Sequence, residues 1–327
     1  MAPFLSICVM TYRRREILHK TLDSLVGQLA GYPEVEVVVC DNASGDGTRE
    51  LVATYLPRHP QLRYHCNEHN VGFDGNVVTC IHQSAGEYIA FFSDDDIAPP
   101  GHVEFLLSTL REKRPAVLYF NHRPFFHNDV TQLGEPASPQ IDMDSEGDDE
   151  FLLIAGLGFL SSLVVPRAAA LTFLGKVIDG GGAAHVDIAA RIVMSRMGPC
   201  LYRGSHSVHA RYDYGAGSIL IGGCVNLAKL YRSLVTEGLL SPEANSKLLR
   251  LQIRHLVPRK VAAARGQGKG EYPLRGMKEI YGSIPSFYFL VLPLYLIPRP
   301  IMALTYRTGR WMLQTWRLLS VRKRSSP

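Results

Sequence analysis

In the N-terminal third of this 327-residue chain, short apolar runs rich in β-branched and aromatic residues alternate with segments whose apolar side chains recur every three or four positions. Few folds accommodate that alternation. Each strand-like run followed by an amphipathic helix is a βα unit, and successive units build a mostly parallel sheet flanked by helices. Strands are predicted at residues 4–10, 35–40, 62–66, 88–92 and 117–121, and helices at 15–28, 48–56, 76–84 and 102–112. In such a sheet, ligands bind in the crevice outside the carboxyl ends of the strands, so the residues just after each run are the ones to inspect.

Beyond residue 121 the regularity stops. Pro124, Pro136 and Pro139 lead into an acidic stretch from Asp142 to Glu150, which predicts a surface excursion. A strand is expected at 159–165. The glycine run Gly180 to Gly182 then precedes Asp187 and a helical pattern over 188–197, on which Met194 and Met197 read as core. Past Cys224 the chain reads as helical and increasingly basic. Sixteen Lys and Arg against two Glu lie between Lys247 and Arg324, so the net charge of +5 conceals an acidic N-terminal part. Two parts are expected, a catalytic domain over 1–222 and a helical basic region over 223–327.

Within that region, 284–297 is apolar but shorter than the roughly 20 helical residues that span a bilayer, and Pro285, Pro293, Pro298 and Pro300 interrupt or close it. The next stretch, 301–319, mixes Met302, Trp311, Leu313 and Trp316 with Arg307, Arg310 and Arg317. Residues from about 284 to 320 are therefore expected to lie in the interface of an anionic membrane; packing of the tail on protein is the alternative. The six cysteines form no CxxC pair, and Cys8, Cys40 and Cys66 fall in strand-like runs, so reduced core thiols are expected. With no basic and apolar leader before the first strand, the expected location is the cytoplasm, peripheral on the inner face of the plasma membrane.

The strand ends are polar at four successive corners. Ser93-Asp94-Asp95-Asp96 follows the fourth run. Three adjacent carboxylates repel one another unless a cation or solvent intervenes, and Mg²⁺-like ions commonly join one or two carboxylates to the phosphates of a substrate; a solvated acidic turn is the bland reading. Asp41-Asn42-Ala43-Ser44-Gly45-Asp46-Gly47-Thr48 follows the second run and would also serve as a helix-capping turn. Thr11-Tyr12-Arg13 follows the first, and Asn70-Val71-Gly72-Phe73-Asp74-Gly75-Asn76 the third. One crevice binding a base and phosphates explains all four corners together.

With these motifs the chain resembles glycosyltransferase family 2, the nucleotide-diphospho-sugar transferases of A-type fold, over about residues 4–200. The stretches that match are Ser6-Ile7-Cys8-Val9-Met10-Thr11-Tyr12, the block from Asp41 to Thr48, Asn70-x-Gly72, Ala85-Gly86-Glu87-Tyr88 and the Asp94–Asp96 triplet. The spelling Asn70-x-Gly72-x-Asp74-x-Asn76 is more like the abequosyltransferase branch, which builds bacterial surface polysaccharide. The resemblance implies an α/β, Rossmann-like A-type glycosyltransferase fold carrying a helical, basic C-terminal extension. It also implies that Thr11, Tyr12 and Asp41 line the nucleobase pocket, with Arg13, Asn42, Ser44, Asn70, Gly72, Asp74 and Asn76 around the nucleotide. Asp94 would lie near the ribose, with Asp95 a further nucleotide-binding residue, and Asp96, with Asp94, would hold Mn²⁺ or Mg²⁺ on the diphosphate. Arg14 and Arg15 are further phosphate candidates, or a solvated face.

Inverting transfer needs a base for the acceptor hydroxyl, which in the family is usually a carboxylate from an acidic pair at a helix start. Here that region reads Ala184-His185-Val186-Asp187, a departure from the pair. Asp187 is the first candidate, as a carboxylate at a helix N-terminus that could equally be a plain cap; His185 is the second, since imidazole titrates near neutral pH. His206 and His209 fall where some relatives place a further metal or phosphate contact, and read as ordinary surface or core histidines. The implied partners are a nucleoside-diphosphate-sugar donor, a lipid-linked or glycan acceptor and an anionic membrane surface, with no nucleic acid. Two rivals remain: a nucleotidyltransferase acting on a sugar phosphate, for which 11–15 lacks the usual glycine-rich loop, and a membrane-docked scaffold with a degenerate site.

Overall fold

The computed structural model describes residues 2–126, 129–148, 151, 158–177, 183–212, 221–267 and 273–304. The chain forms two compact units, Met1–Ala216 and Gly217–Pro327.

The first unit begins with the βα alternation predicted from periodicity: β1 (Leu5–Thr11), α1 (Arg15–Val26), β2 (Val35–Asp41), α2 (Thr48–Ala53), β3 (Leu62–Cys66), α3 (Gly72–Gln83), β4 (Tyr88–Ser93), α4 (His102–Lys113) and β5 (Val117–Phe125). Strands β1 and β2 are buried along their whole length, as both faces of a helix-covered sheet demand. There follow β6 (Asp142–Ser145), a 3₁₀ turn at Leu160–Ser162, β7 (Leu163–Pro166), α5 (Arg167–Phe173), α6 (Ala184–Met194) and β8 (Cys200–Arg211). The strand expected at 159–165 is thus shortened at its start by the 3₁₀ turn, which turns Ser161 toward the end of β4, where its hydroxyl accepts the Ser93 N–H.

The eight strands form one sheet in the order β3-β2-β1-β4-β7-β5-β8-β6. Pairings among β1 to β4 are parallel, as is β5 with β8; β7 runs antiparallel between β4 and β5, and β6 antiparallel at the edge beside β8. The order reverses at β1, whose neighbours are β2 and β4, so the carboxyl ends of these strands open a crevice at a topological switch point. Gly86, at the entry to β4, is fixed by this packing: a Cβ there would fall 2.6 Å from the Ser6 backbone nitrogen. Between Phe120 and Asn121 the β5–β8 register shifts, and β8 accommodates the additional residues Gly204 to His206.

The second unit is helical: α7 (Ile221–Thr236), α8 (Pro242–Leu251), a π-turn at Gln252–Leu256, α9 (Val257–Gln267), α10 (Leu274–Tyr281), α11 (Pro285–Leu290) and α12 (Leu292–Leu296). Its centre is the Tyr281 hydroxyl, which lies 2.7 Å from Gln252 Oε1 and 3.0 Å from the Cys224 carbonyl oxygen. No helix among the described residues is long and apolar enough to cross a membrane.

Candidate active site

The acidic triplet lies in the turn after β4, and all three residues are buried: Asp94 3%, Asp95 7% and Asp96 2% exposed. Burial of adjacent like charges is costly, and its signature is visible. Burial, with Asp95 nearby, pushes the Asp94 carboxyl up to about 6 against the pull of Arg14. Burial and the neighbouring carboxylates hold Asp96 well above the usual carboxylate range. The Arg14 guanidinium pairs with the triplet, at 3.0 Å from Asp94 Oδ1 and 2.9 Å from Asp95 Oδ2, on a side chain that is 40% exposed, and the Arg211 Nε–H donates to the Asp95 carbonyl oxygen at 3.3 Å.

Three distant segments hold the turn in place. From α1, the buried Thr21 hydroxyl is shared between the carbonyl oxygens of Asp94 and Asp96, both at 2.8 Å, and one turn later Ser24 Oγ accepts the Ala98 N–H. From the 3₁₀ turn, Ser161 Oγ donates to Asp96 Oδ2 at 2.6 Å. From the end of β8, the Arg211 N–H donates to Asp96 Oδ1 at 3.0 Å. Thr21, Ser161 and Arg211 were not among the sequence-predicted residues. Only the polar stripe of Thr21 and Ser24 on one face of α1, continued by Gln28 just past its end, carries a local signal, since an otherwise apolar core-facing side would not hold these polar groups.

At the end of β2, Asp41 is 2% exposed and fully engaged: Oδ1 accepts from the N–H and hydroxyl of Ser44, and Oδ2 from the Tyr64 hydroxyl at 2.6 Å. The loops after β1 and β2 are tied together where the Arg13 N–H donates to Ser44 Oγ at 2.9 Å. Arg13 and Ala43 both hold positive φ, +53° and +60°, a strained backbone of the kind that clusters at ligand sites. The buried Thr11 hydroxyl has no hydrogen-bond partner among the described residues, and Tyr12, 36% exposed, lies under the Arg13 guanidinium.

The third corner does something different from what its polarity suggests. Helix α3 starts at Gly72, earlier than expected, so Asp74 and Asn76 lie on the helix. Asn42 Oδ1 accepts from Asn67 and from the Val71 N–H, its Nδ2 donates to Asn70 and to the Gly72 carbonyl, and Asn76 bridges Asn67 and the Cys40 carbonyl. These amides form the wall of the crevice. Asp74 reaches away from them: its Oδ1 accepts the Ala184 N–H at 2.8 Å, capping α6 from another helix.

Helix α6 likewise begins earlier than the pattern indicated, at Ala184, which places Asp187 inside it rather than at its cap. Asp187 pairs with Arg191 one turn on, at 2.6 Å, with the two side chains 4% and 0% exposed. The acid and base at i and i+4 were readable in the sequence as a pair. His185 is 5% exposed; its Nε2 faces the Gly158 carbonyl at 3.5 Å, its Nδ1 has no partner among the described residues, and its ring meets Phe73 edge-on at 5.6 Å. Burial pushes its imidazole down to about 4, so the ring is neutral at physiological pH. Gly158 and Ser161 belong to one short segment, so the group that faces His185 and the group that binds Asp96 are three residues apart.

His206 and His209 are on β8. His206 stacks on Phe105 at 3.6 Å and its Nε2 lies 2.9 Å from Nδ1 of the buried His102. His209 pairs by its backbone with Ile97. Among the described residues no three His, Cys, Asp or Glu side chains converge as a metal site. A cation here would take the triplet carboxylates on one side and substrate oxygens on the other, the usual arrangement for Mg²⁺.

The chain is similar to known proteins. Residues 6–147 match the model of the family described as glycosyl transferase family 2. The chain is 28% identical over 177 residues to abequosyltransferase RfbV of Salmonella typhimurium, covering 50% of this chain and 53% of that one. It is 31% identical over 112 residues to a GalNAc(5)-diNAcBac-PP-undecaprenol beta-1,3-glucosyltransferase of Campylobacter jejuni, 34% of each chain. The match thus spans about half the length of the first relative and a third of the second. Among solved structures, S. aureus TarS 1–349 superimposes with a TM-score of 0.61 over 94% of this chain and 92% of that one, at 16% identity.

Proposed function

From the match of residues 6–147 to glycosyl transferase family 2 and from the A-type fold, we propose that this chain is a member of that family and transfers a sugar, with inversion at the anomeric carbon, from a nucleoside-diphosphate donor to a hydroxyl of a lipid-linked glycan. The observation that carries this reading is the segment 158–161, which joins the acidic triplet to His185. It supports one site in which Asp96 serves the donor diphosphate and His185 the acceptor.

In this reading the nucleobase lies against Thr11 and Asp41, and Asp94 is near the ribose. The triplet fits Mn²⁺ or Mg²⁺: the Asp94 and Asp96 carboxylates are buried and raised by burial and by neighbouring carboxylates, and Asp96 has lone pairs beyond those that accept from Ser161 and Arg211. Asp96 and Asp94 would hold the ion, which when bound would offset negative charge on the leaving diphosphate. Arg14, half exposed at the mouth, would turn from the carboxylates to the phosphates.

The ion pair with Arg191 moves the assignment of the base from Asp187 to His185. Asp187 is neutralised and faces its own helix, whereas the His185 ring is neutral and, with Nε2–H toward Gly158, keeps the Nδ1 lone pair to accept the acceptor's hydroxyl proton. The nucleotide-facing roles of Asn42, Asn70 and Asn76 are better supported as indirect ones, since they shape the corner that the nucleotide would fill, while Asp74 caps α6.

The Campylobacter jejuni relative acts on an undecaprenol-linked glycan by its name, and the helical region of this chain has features that suit a membrane surface. Phe289, Leu296 and Leu304 are 78%, 73% and 64% exposed, near the basic Arg275 and Lys278 of α10 in sequence. Such a surface would lie in the interface of an anionic bilayer at the cytoplasmic face. The tryptophans expected to contribute, Trp311 and Trp316, lie outside the described residues.

Calorimetric titration with UDP, dTDP, GDP and CDP, with and without Mn²⁺, tests the donor reading. One diphosphate should bind in a metal-dependent way, and Asp96→Ala should abolish that binding while leaving the circular dichroism unchanged. Full affinity in the variant removes the metal role; no binding of any diphosphate removes the donor reading.

A further inference from the structure

A set of aromatic rings stands beside the triplet and is not used by the chemistry above. His122 of β5 stacks on Phe159 with centroids 3.9 Å apart and planes 16° from parallel. On from it lies Tyr212, 6.3 Å away and 20° from parallel, its hydroxyl 3.1 Å from His122 Nε2. Phe126 closes the row edge-on to Tyr212 at 6.1 Å. Tyr212 and Phe126 are 37% and 41% exposed, so the row ends in a rim of aromatic surface that faces solvent.

The row is anchored by the backbone. The Phe159 N–H donates to the Tyr119 hydroxyl at 2.9 Å and the Tyr212 N–H to the Phe125 carbonyl at 3.1 Å. The anchors also fix its place relative to the chemistry. Tyr212 follows Arg211, whose N–H holds Asp96 Oδ1; Phe159 lies between Gly158, which faces His185, and Ser161, which holds Asp96 Oδ2. Burial pushes the His122 imidazole down to about 4, so the stack is uncharged at neutral pH. An uncharged, rigid aromatic surface at the edge of a sugar-handling site matches the C–H face of a pyranose, which is apolar while its rim is hydroxylated.

We propose that the Phe159–His122–Tyr212 row, ending at Phe126, is the subsite on which a pyranose of the glycan acceptor stacks. This deepens the reading above and rests on it. The acceptor is favoured over the donor sugar because Phe159 adjoins the residue facing His185, the group that takes the acceptor's proton. In addition, the row opens to solvent, whereas the donor corner at Thr11, Asp41 and the triplet is buried.

Saturation-transfer difference NMR with the methyl β-pyranosides of glucose, galactose, mannose and N-acetylglucosamine, in the presence of Mn²⁺ and the preferred nucleoside diphosphate, tests this. Saturation should concentrate on the ring C–H protons of one face, fall at least severalfold in Tyr212→Ala and return in Tyr212→Trp, while calorimetric affinity for the diphosphate in Tyr212→Ala stays within about twofold. Transfer that is absent for all four sugars, or unchanged in Tyr212→Ala and in Phe126→Ala, overturns the subsite. Loss of diphosphate affinity in step with the sugar signal overturns its assignment to the acceptor. Wild-type protein that binds the pyranosides on this face but no diphosphate would retain the subsite and overturn the donor reading instead.

Discussion

Asp187 and Arg191 form an ion pair of 2.6 Å between side chains that are 4% and 0% exposed. A pair so enclosed cannot give up one member without leaving a buried charge. Asp187→Ala should therefore destabilise the protein by about 3–5 kcal/mol, seen as a lower denaturation midpoint. His185→Gln should retain the wild-type midpoint to within about 1 kcal/mol and lower kcat by about 10²–10⁴-fold, the usual worth of a general base. With His185 pushed down to about 4 in the free protein, the acid limb that it sets in kcat/KM, measured at saturating Mn²⁺, should fall near pH 4 rather than near 6.5. A folded, fully active His185→Gln enzyme would reject the assignment.

Thr21 touches no ligand in the proposed complex, yet its hydroxyl joins the carbonyl oxygens of Asp94 and Asp96. Thr21→Val conserves shape and deletes that link, leaving buried acceptors unpaired. A stability loss of about 1–3 kcal/mol is expected, together with weaker metal-dependent diphosphate binding measured by calorimetry. Unchanged diphosphate affinity would mean that the turn holds its shape without α1.

The His102–His206 pair makes the fold acid-sensitive. Burial first, and then the neighbouring histidines, push His102 down to about 3 and His206 to about 4. Both lie below the ordinary value near 6.5, so the unfolded chain binds more protons between these limits. Their contribution is complete above pH 6.5 and is lost as pH falls toward 4 and then 3. Thermal midpoints measured from pH 7.5 to 4.5 should decline, and His206→Gln should decline less steeply; equal slopes would reject the pair as the source.

Phe289 and Leu296 are so exposed that charges there cost the fold little. The double variant Phe289→Asp, Leu296→Asp should keep the wild-type unfolding free energy to within about 0.5 kcal/mol, as expected for surface changes. It should also lose most of its co-sedimentation with vesicles containing phosphatidylglycerol. Undiminished sedimentation would mean that other residues carry the membrane contact.

Much of this protein is written locally. Period-two and period-3.6 patterns set the βα order over residues 5–125, and the strand ends drew attention to Thr11, Asp41 and the Asp94–Asp96 triplet because a carboxyl-end crevice follows from the topology. Local pattern did not reveal which polar residues face that crevice and which build it. Asn42, Asn70 and Asn76 look like ligand groups in sequence and are spent on one another. Asp74 caps a helix 110 positions away, and Asp96 is held by Ser161 and Arg211, 65 and 115 positions away. A hydrogen bond between distant segments leaves no periodicity behind, so only the folded chain decides where each lone pair is used. The choice between His185 and Asp187 followed the same rule: spacing brought both to the start of one helix, and burial against Arg191 and Gly158 separated them.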